Sequence, residues 1–447
     1  MSLDDTIVAP ATAPGRGAIS VIRLSGPKSL SIAETLSKKS LKPKIVMYGH
    51  ILDDDTFLDS GLWIFFKAPH SFTGENVVEF HGHGGPVVVQ ATLQAMVKLG
   101  ARIAEPGEFS RRAFLNNKID LTQAEAISDL INASSLSAVK AANQSLRGVF
   151  ASAIHELVQD LINVRTQIEA HIDFPDEDID PTDIDYFGNQ IASLKSNLKT
   201  LIQSAQEGAR LNRTTEIVLV GAPNTGKSSL LNALAQEPLA IVTDIPGTTR
   251  DLIRHDLIID GLEIRVTDTA GIRSTANQIE EEGIRRAKEA IKTADLVLCL
   301  FDERYYEITE TTITDLIGGN SATRIGIIKT KHDLQIRATV NRVGLPLIEI
   351  STVTGYGLEH LKTWLLQELN INSSVETTFL ARQRHVVLLE TALNFITQAA
   401  NQNIQIETID LIADDLRLTQ NALSEITGTF TSDDLLGAIF SAFCIGK

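Results

Sequence analysis

With 447 residues the chain has room for about three domains, and its 43% hydrophobic content is ample for folded cores. The formal charge of -16 excludes a protein that coats nucleic acid by bulk electrostatics, so an RNA partner would need local basic patches or a second protein. Two cysteines, Cys299 and Cys444, cannot build a disulfide framework, and neither a secretory signal nor an apolar run of the ~20 residues needed to span a bilayer is evident, which predicts a soluble cytoplasmic protein.

Residues 1–118 read as a loop-rich α+β domain. Ala18–Leu24, Leu62–Phe66 and Asn76–Phe80 have strand character, and a helix is expected over Pro86–Leu99. His81 and His83 are spaced like metal ligands, but the glycines around them and the lack of a third ligand favour a tight backbone turn. From Asp120 the texture becomes helical. Thr122-Gln-Ala-Glu125 fits a capping box, and apolar residues then recur at three- and four-residue spacing to Ile168. An acidic, proline-containing break at 173–181 precedes a further helix over Tyr186–Gly208 and a polar hinge, Arg210–Thr215.

Residues 216 to about 370 alternate strands with helices: Ile217–Val220, Leu257–Ile259, Ile264–Thr267, Leu296–Phe301, Ile325–Ile328 and Leu347–Ile350. This alternation predicts a mainly parallel sheet covered by helices. Helical periodicity returns over 376–440, so the economical organisation is a helical domain interrupted by a nucleotide-binding module. The expected fold is therefore multidomain: an α+β domain over 1–118, an all-α helical domain over 119–213 and 372–447, and an inserted α/β module over 214–371.

The nucleotide motif lies at the start of that module. Ile217–Val220 stops at Gly221, and Gly221-Ala-Pro-Asn224-Thr225-Gly226-Lys227-Ser228 fits G-x-x-x-x-G-K-[ST], followed by Ser229. Its backbone N–H groups and Lys227 suit phosphates, and the Ser228 hydroxyl suits Mg²⁺. Asp268-Thr269-Ala270-Gly271 ends a later strand, where a carboxylate can hold magnesium through water and the glycine N–H can sense a γ-phosphate. Between them, Thr243-Asp244-Ile245-Pro246-Gly247-Thr248-Thr249 offers a hydroxyl that would complete a metal shell only while the γ-phosphate is present. Thr330-Lys331-His332-Asp333 supplies two acceptor oxygens for guanine, and Ser351-Thr352-Val353 could present backbone N–H groups to its carbonyl. Four motifs in this order, each at a strand end, specify a GTP site. Two departures stand out: Thr330 replaces the asparagine of Asn-Lys-x-Asp, and Ile272 stands where Ras-like GTPases place a water-orienting glutamine. Glu280 could position water, although chemistry alone favours the acidic first turn of a helix.

Pro14–Gly17, Val21–Gly26, Phe72-Thr-Gly-Glu75, His81–Gly85, Pro106–Leu115, Asp120–Ala126, the nucleotide motifs and the tail Phe443-Cys-Ile-Gly-Lys447 together resemble the bacterial MnmE (TrmE) family of tRNA modification GTPases, from the first residues to the last. The resemblance implies a Ras-like GTPase module, a folate-enzyme-like N-terminal domain, and a homodimer joined through those N-terminal domains. It implies potassium in place of an arginine finger, with Asn224, Thr243, Ile245 and Thr248 around the ion, Thr249 and Ser228 on magnesium, and Glu280 as the catalytic glutamate. Pro246 stands where relatives often have alanine. Arg23, Glu79, Lys118 and Lys447 match positions that contact 5-formyl- or methylene-tetrahydrofolate, while strand termination is the plainer reading of Arg23 and Glu79. Cys444 suits a role in modification, a reactive thiol or simple packing, and the tail does not fit a prenylation box.

The implied function is GTP hydrolysis coupled to tRNA wobble-uridine modification. A flavoprotein partner (MnmG, also called GidA, in the family) would join it in a heterotetramer or larger complex. Together they would add an aminomethyl-type (carboxymethylaminomethyl) group at carbon 5. Arg111–Arg112 and Arg382–Arg384 are the expected basic contacts for tRNA. The alternative is a regulatory GTPase that binds ribosomal RNA or another partner and only hydrolyses GTP.

Overall fold

The computed structural model describes residues 5–54, 56–133, 135–173, 181–213, 215–221, 224–235, 253–259, 262–268, 289–292, 294–302, 324–334, 346–369, 379–402, 405, 408–429, 433–441, 443 and 446. The chain divides into two compact units. One comprises residues 1–131, 143–202 and 387–447; the other comprises 132–142 and 203–386.

In the first unit, six strands form one sheet: β1 (Thr6–Pro10), β2 (Gly17–Ser25), β3 (Met47–Asp53), β4 (Thr56–Phe66), β5 (Val77–Gly84) and β6 (Ala101–Ile103), in the order β3-β4-β5-β2-β1-β6. The β1–β6 pair is parallel and the other pairings are antiparallel. Alternation along β4 and β5 sends Trp63, Phe65, Val78 and Phe80 to one face, where they bury against Ile32, Leu36 and Met96 from helices Ser29–Ser37 and Pro86–Lys98. Trp63 and Phe80 lie 4.7 Å apart between ring centroids. The opposite face carries Arg23, Glu79 and His81. His81 and His83 therefore sit on a strand and not in the tight turn expected from their glycine neighbours.

The helix that follows Asp120 starts two residues earlier than its Thr122–Glu125 pattern suggests. Helix Leu121–Asn132 is capped by Asp120, whose carboxylate accepts the Gln123 N–H at 2.9 Å, while the Gln123 carboxamide oxygen accepts the Asp120 N–H at 3.0 Å. The box is reciprocal, but its members are Asp120 and Gln123. Helix Val149–Asp173 packs along Ile409–Thr427, with Arg165 donating to the Gln420 side chain at 2.5 Å. The last helix, Asp433–Ser441, brings Leu436 and Phe440, with Phe443 beyond it, against Leu121 and Phe114. Gly446 then lies against β1: it has φ 97°, and a Cβ there would overlap the Pro10 carbonyl oxygen.

The second unit holds a sheet ordered β12-β11-β10-β7-β9-β8, from β7 (Thr215–Val220), β8 (Ile253–Ile259), β9 (Leu262–Asp268), β10 (Leu296–Phe301), β11 (Arg324–Lys329) and β12 (Leu347–Glu349). All pairings are parallel except β8–β9. Leu219, Leu298, Ile328 and Leu361 are among the residues of its core. In an open parallel sheet ligands bind beyond the carboxyl ends of the strands, which is where the nucleotide motifs fall. The fold is thus a mixed α/β N-terminal domain, a helical domain and an α/β domain whose mainly parallel sheet carries the phosphate-loop motif.

Candidate functional sites

The phosphate loop leaves β7 at Gly221 and enters helix Lys227–Ala235. A side chain at Gly221 would overlap the Leu300 carbonyl of β10, so close strand approach demands glycine here. Asn224 has φ 65° and Gly226 φ 93°, and these left-handed turns let successive N–H groups face one side, as in an anion-binding nest. Lys227 is buried, with its ammonium donating to the Gly221 carbonyl at 2.5 Å. Ser228 and Ser229 are exposed at the positive end of the helix.

The segment expected to read the base is wired into this loop. Lys331 donates to the Asn224 carbonyl at 2.8 Å and pairs with the buried carboxylate of Asp302 at 2.5 Å. Thr330, where an asparagine was expected, still reaches the loop: its hydroxyl lies 2.7 Å from the Thr225 carbonyl and 3.0 Å from the Phe301 carbonyl. Ser351 donates to an Asp333 carboxylate oxygen at 2.6 Å, so the two predicted guanine segments meet. The His332 N–H donates to the Ile350 carbonyl, and its ring stacks on Tyr356 at 4.1 Å with 9° between planes. Thr352 is half-buried and Val353 exposed in the same turn. Asp268 ends β9, opposite Leu219.

Thr243, Asp244, Ile245, Pro246, Gly247, Thr248, Thr249, Thr269, Ala270, Gly271, Ile272, Glu280, Cys444 and Lys447 lie outside the described residues. Cys299 lies in β10, and burial pushes its thiol pKa up to about 11, which leaves it unreactive at neutral pH.

In the first unit, Arg23 on β2 sits directly opposite Glu79 on β5 and donates to its carboxylate at 2.9 Å. The guanidinium lies over the rings of Phe72 and Phe109, at 5.6 and 5.7 Å from their centroids. The other Glu79 oxygen is 3.1 Å from His81 Nε2. Lys118 approaches through the Phe72–Glu75 loop, its stem against Gly74, while Asn116 donates to the Thr73 carbonyl at 2.7 Å. One step along β5, His83 Nδ1 lies 2.6 Å from the buried Asp59 carboxylate.

Arg112 is not a surface contact. It is 2% exposed, with its guanidinium facing Asp5, Glu75 and Glu108, and Arg102 bridges Asp5 and Glu108 beside it. A pair of adjacent arginines reads as a basic patch only until its distant acids are found. Sequence reasoning also missed the contact of His81 with Glu79 and the parts played by Phe72, Phe109, Asp59 and Asp302. The alternation Glu79-x-His81-x-His83 was the available signal for the first, since it puts three polar side chains on one strand face.

A model of the MnmE helical domain matches residues 121–444, and one of the GTP-binding protein TrmE N-terminus matches 6–118. The tRNA modification GTPase MnmE of Proteus mirabilis is 45% identical over 457 residues, covering 100% of both chains. That of Neisseria meningitidis serogroup C is 48% identical over 446 residues, covering 99% of each. The solved G domain of the T. maritima FeoB iron transporter, 24% identical over 35% of this chain and 99% of its own, has a TM-score of 0.27, too low to carry an argument. On matches spanning both of its ends, the chain belongs to the MnmE family of tRNA modification GTPases.

Proposed function

We propose that the chain binds and hydrolyses GTP and couples that cycle to modification of the wobble uridine of certain tRNAs. The observation that carries the nucleotide half is the wiring of Thr330 and Lys331 to the carbonyls of Thr225 and Asn224. A base held by Asp333 and a phosphate chain held by Gly226–Ser229 are thereby fixed relative to each other. Among the described residues, the exposed hydroxyl of Ser228 fits magnesium, and Asn224 in the mouth of the loop fits potassium. Thr249, and the loop Thr243–Thr248, would complete those shells, and Glu280 would orient water. A monovalent cation held by these residues would supply the charge an arginine finger gives elsewhere.

The N-terminal half is read as a tetrahydrofolate site. Each Glu79 oxygen has one protein partner and an ionised carboxylate has about four lone-pair sites, so acceptor capacity remains for pterin N–H donors. Lys118 and Lys447 suit the glutamate end. The folate supplies a one-carbon unit when bound; Arg23, held over two aromatic rings, keeps the Glu79 carboxylate aimed. A flavoprotein partner of the MnmG (GidA) kind would complete the chemistry at carbon 5. A homodimer through the N-terminal sheet is supported by its exposed apolar row: Tyr48 is 60% exposed and Leu62 40%, and they are register partners on β3 and β4. The domain limits 1–118, 119–213, 214–371 and 372–447 are part of this reading.

Two measurements test it. GTP turnover should rise in KCl over NaCl and fall with Glu280→Ala; equal rates in both salts would remove potassium from the account. Mass analysis of tRNA from cells lacking the protein should reveal altered wobble uridines. Unaltered nucleosides would leave the regulatory GTPase.

A further inference from the structure

We propose that the cleft beside Lys118 receives the γ-linked glutamates that extend the tail of a tetrahydrofolate, an inference that rests on the folate reading above. A folate ends in a glutamate whose γ-carboxyl can carry further glutamates, so its tail is a short peptide-like chain bearing a carboxylate at every unit. The cleft has a volume of about 380 Å³, the lower end of the range for small-molecule sites, and lies wholly within the first compact unit. Its polar wall includes Lys118, His155, Asn117, Gln123, Thr427 and Thr429.

The charges in that wall favour a carboxylate guest. Lys118 and His155 are exposed, so an ammonium and an imidazole are available to anions. Asp120, the acid in the same wall, caps helix Leu121–Asn132: its Oδ1 accepts from the Gln123 N–H at 2.9 Å and the Thr122 hydroxyl at 2.6 Å, which holds the carboxylate against the helix start. The helix Ile409–Thr427 ends here, yet the carbonyls of Ser424 and Glu425 are taken by the N–H groups of Thr429 and Gly428, which blunts its negative end. Gln123 braces this wall, its oxygen on the Asp120 N–H and its NH₂ on the Leu146 carbonyl, while the Thr429 hydroxyl and the exposed Asn117 carboxamide are of the kind that pair with peptide links.

The route into the cleft is also present. Lys118 lies against Gly74, and Gly74 follows Phe72, whose ring carries the Arg23 guanidinium that grips Glu79. A ligand with its donor-rich head at Glu79 runs along this loop, meets Lys118 with its first carboxylate, and continues into the cleft. An RNA phosphate backbone is the competing occupant.

The test is titration calorimetry of the full-length protein with 5-formyl-tetrahydrofolate in its monoglutamate and pentaglutamate forms, repeated for His155→Ala. The pentaglutamate should bind roughly three- to tenfold more tightly, the size expected for about one net hydrogen bond from the His155 imidazole. His155→Ala should erase most of that difference while leaving the monoglutamate Kd unchanged. Equal affinity for both forms, with the monoglutamate binding normally, overturns the tail site and leaves the folate reading intact. If neither form binds, both fall. A tRNA transcript whose affinity drops in His155→Ala while the folate difference persists assigns the cleft to RNA and overturns the proposal.

Discussion

The Thr330 hydroxyl faces two carbonyl oxygens, Thr225 at 2.7 Å and Phe301 at 3.0 Å, with a single hydrogen to give. The Phe301 oxygen already accepts the Thr330 backbone N–H, so the Thr225 carbonyl is the one that depends on the hydroxyl. An asparagine carboxamide would offer two hydrogens at this position. Thr330→Asn should therefore tighten guanine-nucleotide binding by about 1 kcal/mol, roughly fivefold, the net worth of one hydrogen bond. Thr330→Val keeps the shape, removes the tether and should weaken binding by a similar factor or more. Fluorescent-GDP titrations of the two variants should move in opposite directions. If Thr330→Val binds as well as the parent, the tether contributes nothing.

Much of this site was legible because its signals are local. An apolar run that stops at Gly221, and Leu296–Phe301, whose limits agree at both ends, announce buried strands within a few residues. β1, β3 and β6 gave no comparable signal. β1 is five residues ending in proline, β6 is three, and β3 mixes Tyr48 and His50 into its exposed face. Their identity as strands comes from pairing with distant segments. Arg112 shows the same limit more sharply, since it meets Glu75 across 37 positions and Asp5 across 107. The base-reading motif was readable as chemistry, but the Asp302 partner of Lys331 was not, being set by where β10 ends.

The buried network around Arg112 makes the first unit acid-sensitive. Burial is the largest influence on Asp5 and Glu108 and pushes both carboxyls up, but hydrogen bonds from Arg102 and Arg112, joined at Glu108 by the Glu105 N–H, together outweigh it and hold both pKa values below the ordinary range. Because the folded values lie below the unfolded ones, the stabilisation is fully present above the usual carboxylate range. It is lost as pH falls through the depressed folded values, which places the decline below about pH 5. Arg112→Met leaves three carboxylates facing a neutral side chain and should cost roughly 3–5 kcal/mol at neutral pH. Denaturant unfolding read from Trp63 in a Trp364→Phe background should register it. Glu108→Gln should flatten the acid limb, and a limb as steep as the parent's would mean other carboxylates control it.

Gly446 ties the end of the chain to β1, since no side chain fits between it and the Pro10 carbonyl and its φ of 97° disfavours any other residue. Gly446→Ala should lift the tail from the sheet without disturbing the buried contacts of Phe440 and Phe443. If Lys447 serves the folate, affinity for 5-formyl-tetrahydrofolate should fall several-fold while GDP affinity stays level, because the phosphate-loop motif belongs to the other unit. Matching losses of both ligands would point to global misfolding.

Asp333 offers the most discriminating test of the base. Ser351 fixes one carboxylate oxygen at 2.6 Å and leaves acceptor sites on both oxygens for a ring N–H and an exocyclic amino group. Guanine presents that pair of donors and adenine does not, so GDP should bind far more tightly than ADP. Asp333→Asn turns one acceptor into an NH₂ donor. That donor repels the amino group of guanine and complements the carbonyl that xanthine carries at the same carbon. The variant should lose GDP affinity by more than tenfold, since truncating a charge-assisted bond costs about 1.5–3 kcal/mol, and should gain XDP affinity by a comparable factor. Competition titrations with GDP, XDP and ADP separate the cases. A variant that loses GDP without gaining XDP would show Asp333 acting through its bond to Ser351, as a brace for the loop, and not on the base.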